Sequence, residues 1–436
     1  MRKHNFPYLL VLSLCLIGCA SQKPSLPVNS DESAVLSTEA ETEAAAGDGL
    51  QPETGKAPAS FQTASGITIT DQADSSSFYA KDDPSACVLT VSSCCPKVSV
   101  ANHPEASQKI NDAISQELDT FWTFEKENVG YAEENRTAIL ENTGSAPEPY
   151  TADFSYQVKR CDDKILSFVF TQTDYTGGAH GNYWSYGMTF DAATGMRLYL
   201  GGLCNDNASF FRLLLNELDA QASLPAYERY IDKNITSGME ETFLNDSPCW
   251  YLDRSGLSFI SNPYVLGPYA AGTFEFNLPY EKLHGFKAEY SYEGNYIQKI
   301  FPGVSVQHDL NSNGTTDEIC YSVTMDEDFS NPRPTLTING TDFSEEFEKL
   351  YMSGPLTDAY YLIDVDPKDP YIEIAVTNQN TDNPDASCTH FFRYNTEKQL
   401  IYQGKIPGIF DETTQVCYNS NGNLILCSPA ASNESS

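Results

Sequence analysis

Positive charge is scarce in this chain of 436 residues: 26 lysines and arginines stand against 60 aspartates and glutamates, for a formal charge of −34. A chain this acidic cannot neutralise phosphates or hold an anionic leaflet through a general basic field, so no nucleic-acid partner is expected. Long apolar runs are equally scarce. The best candidate, Tyr8 to Ile17, has ten residues, whereas a spanning helix needs about 20. Metal-type cysteine spacing is missing too, because no Cys-x-x-Cys pair and no Cys/His cluster with zinc spacing occurs. Aromatic residues, by contrast, are plentiful. With 23 Phe and 26 Tyr in a 40% hydrophobic chain, substantial cores are possible, and the length predicts two globular domains plus further segments.

The N-terminus supplies an address. Arg2 and Lys3, the apolar run and Leu16-Ile17-Gly18-Cys19 follow the plan of a secretory signal: basic region, short apolar region, small residue before the cut. The tetrapeptide resembles the lipobox of bacterial lipoproteins. That resemblance implies a signal peptide over residues 1–18, lipid on the Cys19 thiol, and anchorage of the exported chain to the outer face of the cell membrane. Residues 19–75 are mostly small or acidic, as in Glu39-Ala40-Glu41-Thr42-Glu43. Such a stretch buries too little surface to offset its chain entropy and reads as a disordered acidic tether. Setting aside Cys15 and Cys19, ten cysteines remain, and an even number in an exported chain argues for disulfides. Cys417 and Cys427 form one testable pair, because they flank Asn421-Gly422 in a predicted hairpin.

Residues 78–290 read as an α+β domain, with helices packed on an antiparallel sheet. Pro104 suits a first helical turn, and Ile110, Ile114, Leu118 and Phe121 share one face, which predicts a helix from Pro104 to about Phe121. Alternating strands follow across Phe154 to Val158, Lys164 to Gln172 and Tyr183 to Phe190. Asp191 to Gly195 is expected to join the last of these to a strand over Met196 to Leu200. A second helix is expected to start at Asn207 as N-cap.

Two segments are too unusual to be generic: Asp174-Tyr175-Thr176-Gly177-Gly178-Ala179-His180-Gly181-Asn182-Tyr183 and Pro263-Tyr264-Val265-Leu266-Gly267-Pro268-Tyr269-Ala270-Ala271-Gly272. Together with Cys95-Pro96-Lys97-Val98 upstream, they resemble the extracellular domain of the lysozyme-receptor anti-sigma factor RsiV and the accessory domain of the peptidoglycan deacetylase PdaC. The sequence shows neither a sigma-binding segment nor a deacetylase domain with paired His and Asp motifs, so the resemblance implies the binding domain alone. Its expected partner is a lysozyme-type protein or a wall glycan, met by Tyr175, His180, Pro263, Tyr264 and Tyr269. His180 also invites a catalytic reading, since imidazole titrates near neutral pH and Asp174 is close in sequence. The competing reading is a tight turn in which His180 bonds to backbone. Tyr264 and Tyr269 either present rings to a ligand or pack on a sheet.

Residues 295–428 read as a mostly β domain. Asp309, Asn311, Asn313 and Asp317 place oxygen side chains at positions 1, 3, 5 and 9 of a loop with Gly314 at position 6, and the carbonyl of Thr315 suits position 7. Calcium is the expected ion, in a structural role. The absence of Glu at position 12, where Cys320 stands, argues against an EF-hand. The pattern resembles the calcium loops of FG-GAP and VCBS-type propeller repeats. A degenerate second copy begins 55 residues later, with Asp364, Asp366, Asp369 and Glu373 as candidate ligands. A compact domain of propeller-like units is expected. The whole reads as a Gram-positive surface lipoprotein that binds without catalysis. The alternatives are a peptidoglycan-modifying enzyme using His180 and a structural partner of an envelope signalling or secretion complex.

Overall fold

Alternating burial builds the first sheet of this computed structural model, which describes residues 60–62, 66–225, 227, 230–231, 249–325, 332–350, 359–379, 383, 386–411 and 413–427. Cys19, the expected signal peptide and most of the expected tether lie outside those residues. Six strands run in the order β1 (Ser60–Gln62), β2 (Ile67–Tyr79), β3 (Cys87–Val100), β4 (Tyr150–Cys161), β5 (Ile165–Tyr175) and β6 (Asn182–Asp191). The long helix α1 (Pro104–Thr143) connects β3 to β4. A crossover of this kind is what a parallel pair requires, and β3 and β4 are parallel while every other neighbouring pair is antiparallel. The sheet is therefore mixed rather than purely antiparallel. Ile110, Ile114 and Phe121 of α1 pack against Phe154, Phe168, Phe170 and Phe190, with the Phe121 and Phe154 rings 5.3 Å apart.

Three local expectations change. β2 begins inside the segment read as a tether, because Ile67 and Ile69, at 1% and 2% exposure, belong to the core. The helix passes Phe121 and ends at Thr143, where Gly144 adopts φ 77° and donates its N–H to the Leu140 carbonyl. After β6, the expected strand reduces to a single bridge between Phe190 and Arg197, and the chain turns into a short 3₁₀ segment at Leu200–Gly202.

Behind this sheet lies a second layer. Helix α2 (Asn207–Ala222) is capped by Asp206, one residue earlier than expected, whose carboxylate accepts from the Ala208 and Ser209 amides. Strands β7 (Trp250–Leu252), β8 (Gly256–Ser261) and β9 (Phe274–Pro279) form an antiparallel sheet. Phe210, Leu214 and Leu218 of α2 share a core with Leu257, Phe259 and Phe276. β7 approaches β6 so closely that a Cβ on Gly187 would stand 1.8 Å from the Trp250 carbonyl oxygen.

The C-terminal part is largely β, as expected. β11 (Ser305–His308), β12 (Asp317–Met325), β13 (Pro332–Ile338) and β14 (Thr341–Asp342) form one antiparallel meander. A five-stranded sheet orders β10 (Ile297–Ile300), β15 (Tyr360–Ile363), β16 (Glu373–Asn378), β17 (Cys388–Tyr394) and β18 (Leu400–Pro407). Leu310, Ile319, Tyr321 and Leu336 meet Leu362, Ile374 and Phe392 in a core that also takes Phe347 of α3 (Ser344–Lys349). The opposite face of the five-stranded sheet meets Phe410 and the hairpin β19 (Val416–Tyr418) and β20 (Leu424–Leu426). No closed propeller is found among the described strands. Cys417 and Cys427 are disulfide-bonded across that hairpin, as the spacing predicts, with Cα atoms 5.8 Å apart. Cys87, Cys94, Cys95, Cys204, Cys320 and Cys388 are thiols, so bridging is less extensive than the count suggested.

Candidate functional site

The two unusual segments meet. The turn between β5 and β6 carries residues 176–181, and the loop between β8 and β9 carries residues 262–273. Asn262, 1% exposed, fixes this meeting: its Oδ1 accepts from the Ser185 amide at 2.7 Å and its Nδ2 donates to the Ser185 carbonyl at 2.8 Å. That two-point clamp ties the second loop to the β6 backbone. The next residue, Pro263, is buried and offers no surface to a partner, contrary to expectation. Tyr264 then turns out into solvent at 65% exposure with φ 68°, a left-handed conformation uncommon for an aromatic residue.

Tyr269 closes the contact from the other side. Its hydroxyl donates to the Gly181 carbonyl at 2.6 Å, and its ring stacks on His180 with centroids 3.8 Å apart and planes 15° apart. Tyr264 and Tyr183 flank it at 5.6 Å and 6.1 Å. Tyr175 serves the turn, its hydroxyl donating to the Gly178 carbonyl at 3.2 Å. The His180 Nδ1 lies 2.9 Å from the Gly181 carbonyl, so this ring does bond to backbone, and the Asp174 carboxylate accepts from Asn182 at 3.2 Å. What results is an exposed aromatic platform made from two loops more than 80 residues apart, suited to stacking or to anchoring a partner.

Two carboxyl groups near its base were not foreseen as a pair. Burial pushes up the pKa of Asp174, offset in part by Asn182. Glu125 of α1, 4% exposed, is pushed up chiefly by burial and further by the Asp174 charge, against a hydrogen bond from Asn128. Only the platform residues were legible as a site, because Glu125 sits where an apolar residue would continue the stripe of α1.

The two acidic loops of the C-terminal part also meet. Ile372 N–H donates to the Leu310 carbonyl at 3.0 Å, and Ser312 Oγ donates to the Pro370 carbonyl at 3.0 Å. In the first loop, Asp309 accepts from the Asn313 and Gly314 amides at 3.0 and 2.7 Å, and Asn313 Oδ1 accepts from Thr315 N–H at 2.8 Å. Asp317, 4% exposed, accepts from Asn339 at 2.8 Å. In the second loop, two of the four candidate ligands, Asp369 and Glu373, already face a cation, while Asp364 keeps a buried Oδ1 without a hydrogen-bond partner. Arg393 donates from Nε to Glu373 at 2.6 Å and from Nη2 to Asp369 at 2.5 Å, with Tyr371 and Tyr418 over its guanidinium at 5.0 and 5.1 Å. Asp366 accepts from the Lys368 amide at 3.1 Å, while burial and the charges of Asp369 and Asp366 push up the pKa of Asp364. Among the described residues, no three His, Cys, Asp or Glu side chains are grouped to hold a metal ion.

Parts of the chain are similar to known families. Residues 85–183 match the family described as "Deacetylase PdaC", and residues 207–281 match "Protein of unknown function (DUF3298)". The first match includes the β5–β6 turn and ends at Tyr183 in β6, and the second contains the Tyr264 loop. A DUF3298-family protein from Bacteroides fragilis NCTC 9343 is 18% identical with a TM-score of 0.40, covering 52% of this chain and 96% of its own. One from Pseudomonas aeruginosa PAO1 is 16% identical with a TM-score of 0.37, covering 52% and 98%. No curated protein matches the chain.

Proposed function

We propose that this chain is a bacterial surface lipoprotein, held at the outer face of the cell membrane by lipid on Cys19, that binds a cell-wall-associated ligand without transforming it. The observation that carries this reading is the platform in which exposed His180 and Tyr264 flank half-buried Tyr269, whose hydroxyl is held by the Gly181 carbonyl of the other loop. Left-handed backbone at an exposed tyrosine is a strain that a merely structural turn has little reason to keep. The similarity to PdaC and DUF3298 regions supports a wall-related extracellular module. No helix among the described residues is long and apolar enough to cross a membrane. A lysozyme-type muramidase is the most specific ligand, with a wall glycan as the second.

Full-length protein should retain lysozyme or soluble peptidoglycan fragments on a pull-down at micromolar concentration. Tyr264→Ala and His180→Ala should each weaken retention roughly tenfold or more, the loss typical of an anchoring aromatic residue. Labelled palmitate should enter the parent and not Cys19→Ala. Absence of both ligands from the retained fraction, or turnover of a wall substrate that stops in His180→Ala, would replace this reading with another class of function.

A further inference from the structure

Strand β2 runs on well past the end of its outer neighbour. β1 covers Thr68–Thr70, through Ser60, Phe61 and Gln62, whereas β2 continues to Tyr79 with Gln72–Ser77 exposed on both faces of the sheet. No strand pairs with that stretch on its outer side among the described residues. The register with β3 fixes where its backbone groups point. The Ala101 amide donates to the Gly66 carbonyl at 3.0 Å, and the register is unbroken from Ile67 opposite Val100 to Phe78 opposite Leu89, so even-numbered residues of β2 bond to β3. Odd-numbered ones turn outward. Their partners on β3 agree: Pro96, opposite Asp71, has no N–H to give, and Val98, opposite Ile69, uses its N–H and carbonyl on the Asn111 side chain. Ala73, Ser75 and Ser77 therefore direct their backbone groups away from the sheet.

Exposed edges are normally blunted by proline, lysine or a bulge. Residues 71–77 contain none of these, and their only charges are Asp71 and Asp74. Asp74 Oδ1 accepts from the Ser75 amide at 2.8 Å, and Asp71 accepts from the Tyr156 hydroxyl at 2.5 Å. A second copy of a chain with net charge −34 is repelled from such an edge, whereas a basic strand is attracted.

We propose that β2 from Ala73 to Ser77 is a docking edge where an extended segment of a partner protein joins the sheet antiparallel, with a lysine or arginine opposite Asp74. β1 is the precedent, because it holds the same edge antiparallel with Phe61 opposite outward-facing Ile69. The docked strand continues that interface. Main-chain bonds at residues 73, 75 and 77 supply affinity, and the charge opposite Asp74 supplies selection. On docking, the Asp74 carboxylate leaves the Ser75 amide for the cation and an incoming carbonyl accepts from that amide instead. Within the six-stranded sheet this edge lies at the opposite side from β6, so the surface is separate from the His180–Tyr269 platform.

A fluorescent nine-residue peptide of alternating threonine and valine with lysine at its centre, titrated into full-length protein at low salt and followed by anisotropy, is the probe. It should bind, and its glutamate counterpart should not. With lysine opposite Asp74, the N–H groups of its two neighbours face β2 and its own faces solvent. Methylating the two neighbouring amides should abolish binding, and methylating the lysine amide should leave it intact. Ala73→Pro removes an outward N–H and no bond to β3, so it should keep the parent's Tm and weaken binding tenfold or more, by roughly the worth of an anchoring contact. Asp74→Asn should weaken it roughly two- to fivefold, as expected of an exposed ion pair. No anisotropy change up to about 1 mM peptide, or equal binding of the two methylated peptides, would overturn the edge. Dimerisation of the protein that Ala73→Pro abolishes would overturn it in favour of a second copy, and tighter binding of a peptide copying residues 51–59 would do so in favour of the chain's own segment ahead of Ser60.

Discussion

Histidine 390 shows how one buried ring fixes a pH response. It is 3% exposed, with Cys388 Sγ 3.3 Å from Nε2 and the Tyr402 hydroxyl 3.2 Å from Nδ1. A neutral imidazole has one donor and one acceptor nitrogen and completes this thiol–ring–phenol chain. Burial, then the charge of Lys405, lowers its pKa from 6.5 to about 4. As pH falls below 6.5, the unfolded chain takes a proton at His390 while the folded ring stays neutral until about 4. More protons on the unfolded state means that acid withdraws stability across that window, by about 3 kcal/mol in total. Denaturant melts from pH 7 to pH 4 should show this loss, and His390→Gln should flatten it. Asp174 and Glu125 pull the other way, because their raised folded pKa values make protonation stabilising. The comparison of variant with parent therefore isolates the histidine.

At the scale of elements, close backbone approach decides what the sequence permits. Gly187→Ala in β6 should cost ~3 kcal/mol by forcing β7 away from the sheet, since its Cβ would meet the Trp250 carbonyl. Gly130→Ala in α1 meets nothing within 4 Å and should stabilise by about 0.5–1 kcal/mol through helix propensity. Urea unfolding of the two variants checks both signs. The same helix shows what sequence periodicity conveys. Ile110, Ile114 and Phe121 announce the buried face, but beyond them that face continues through Glu125, Ala132 and Arg136. Spacings of 4, 7 and 4 from Phe121 keep the helical phase. With the charged Glu125 and Arg136 in the stripe the apolar pattern fades, and roughly the last six turns go unread. Arg136 is held there by Asp82 and Asp83, partners distant in sequence. The aromatic site was readable for a different reason. Glycine- and proline-rich loops with tyrosines are odd in composition, whereas the Asn262 clamp that joins them is one ordinary residue whose partner lies 77 positions away. Arg393 was hidden in the same way, since nothing near 364–373 in the chain signals that its counter-charge comes from β17.

At the scale of the whole molecule, the question is whether the parts either side of residue 290 act as separate domains. Their cores are distinct, one pair drawing on residues 67–290 and the other on residues 297–424. Yet residues 57–436 form one compact unit, and cations sit along the seam. Lys299 of β10, 7% exposed, donates to Glu275 of β9 at 2.8 Å. Arg254 donates to the Tyr292 hydroxyl at 3.0 Å and the Thr414 carbonyl at 2.8 Å. Arg160, 1% exposed, binds Asp162, Tyr280 and the carbonyls of Tyr290 and Ser291, which fixes the connecting segment to the first sheet. Buried charge of this kind contributes little net stability over an apolar replacement, but removing one partner strands the other at a cost of about 3 kcal/mol or more. Shared stakes across the seam predict a single calorimetric transition for the intact chain. Lys299→Met, which leaves Glu275 without its cation, should lower that one transition as a unit. Two transitions in the parent, or a variant in which one part melts early while the other keeps its midpoint, would show that the seam is a contact between independent domains. A seam that melts as one unit also predicts that a ligand at the His180–Tyr269 platform raises the melting temperature of the C-terminal part together with its own, because it stabilises the same cooperative unit.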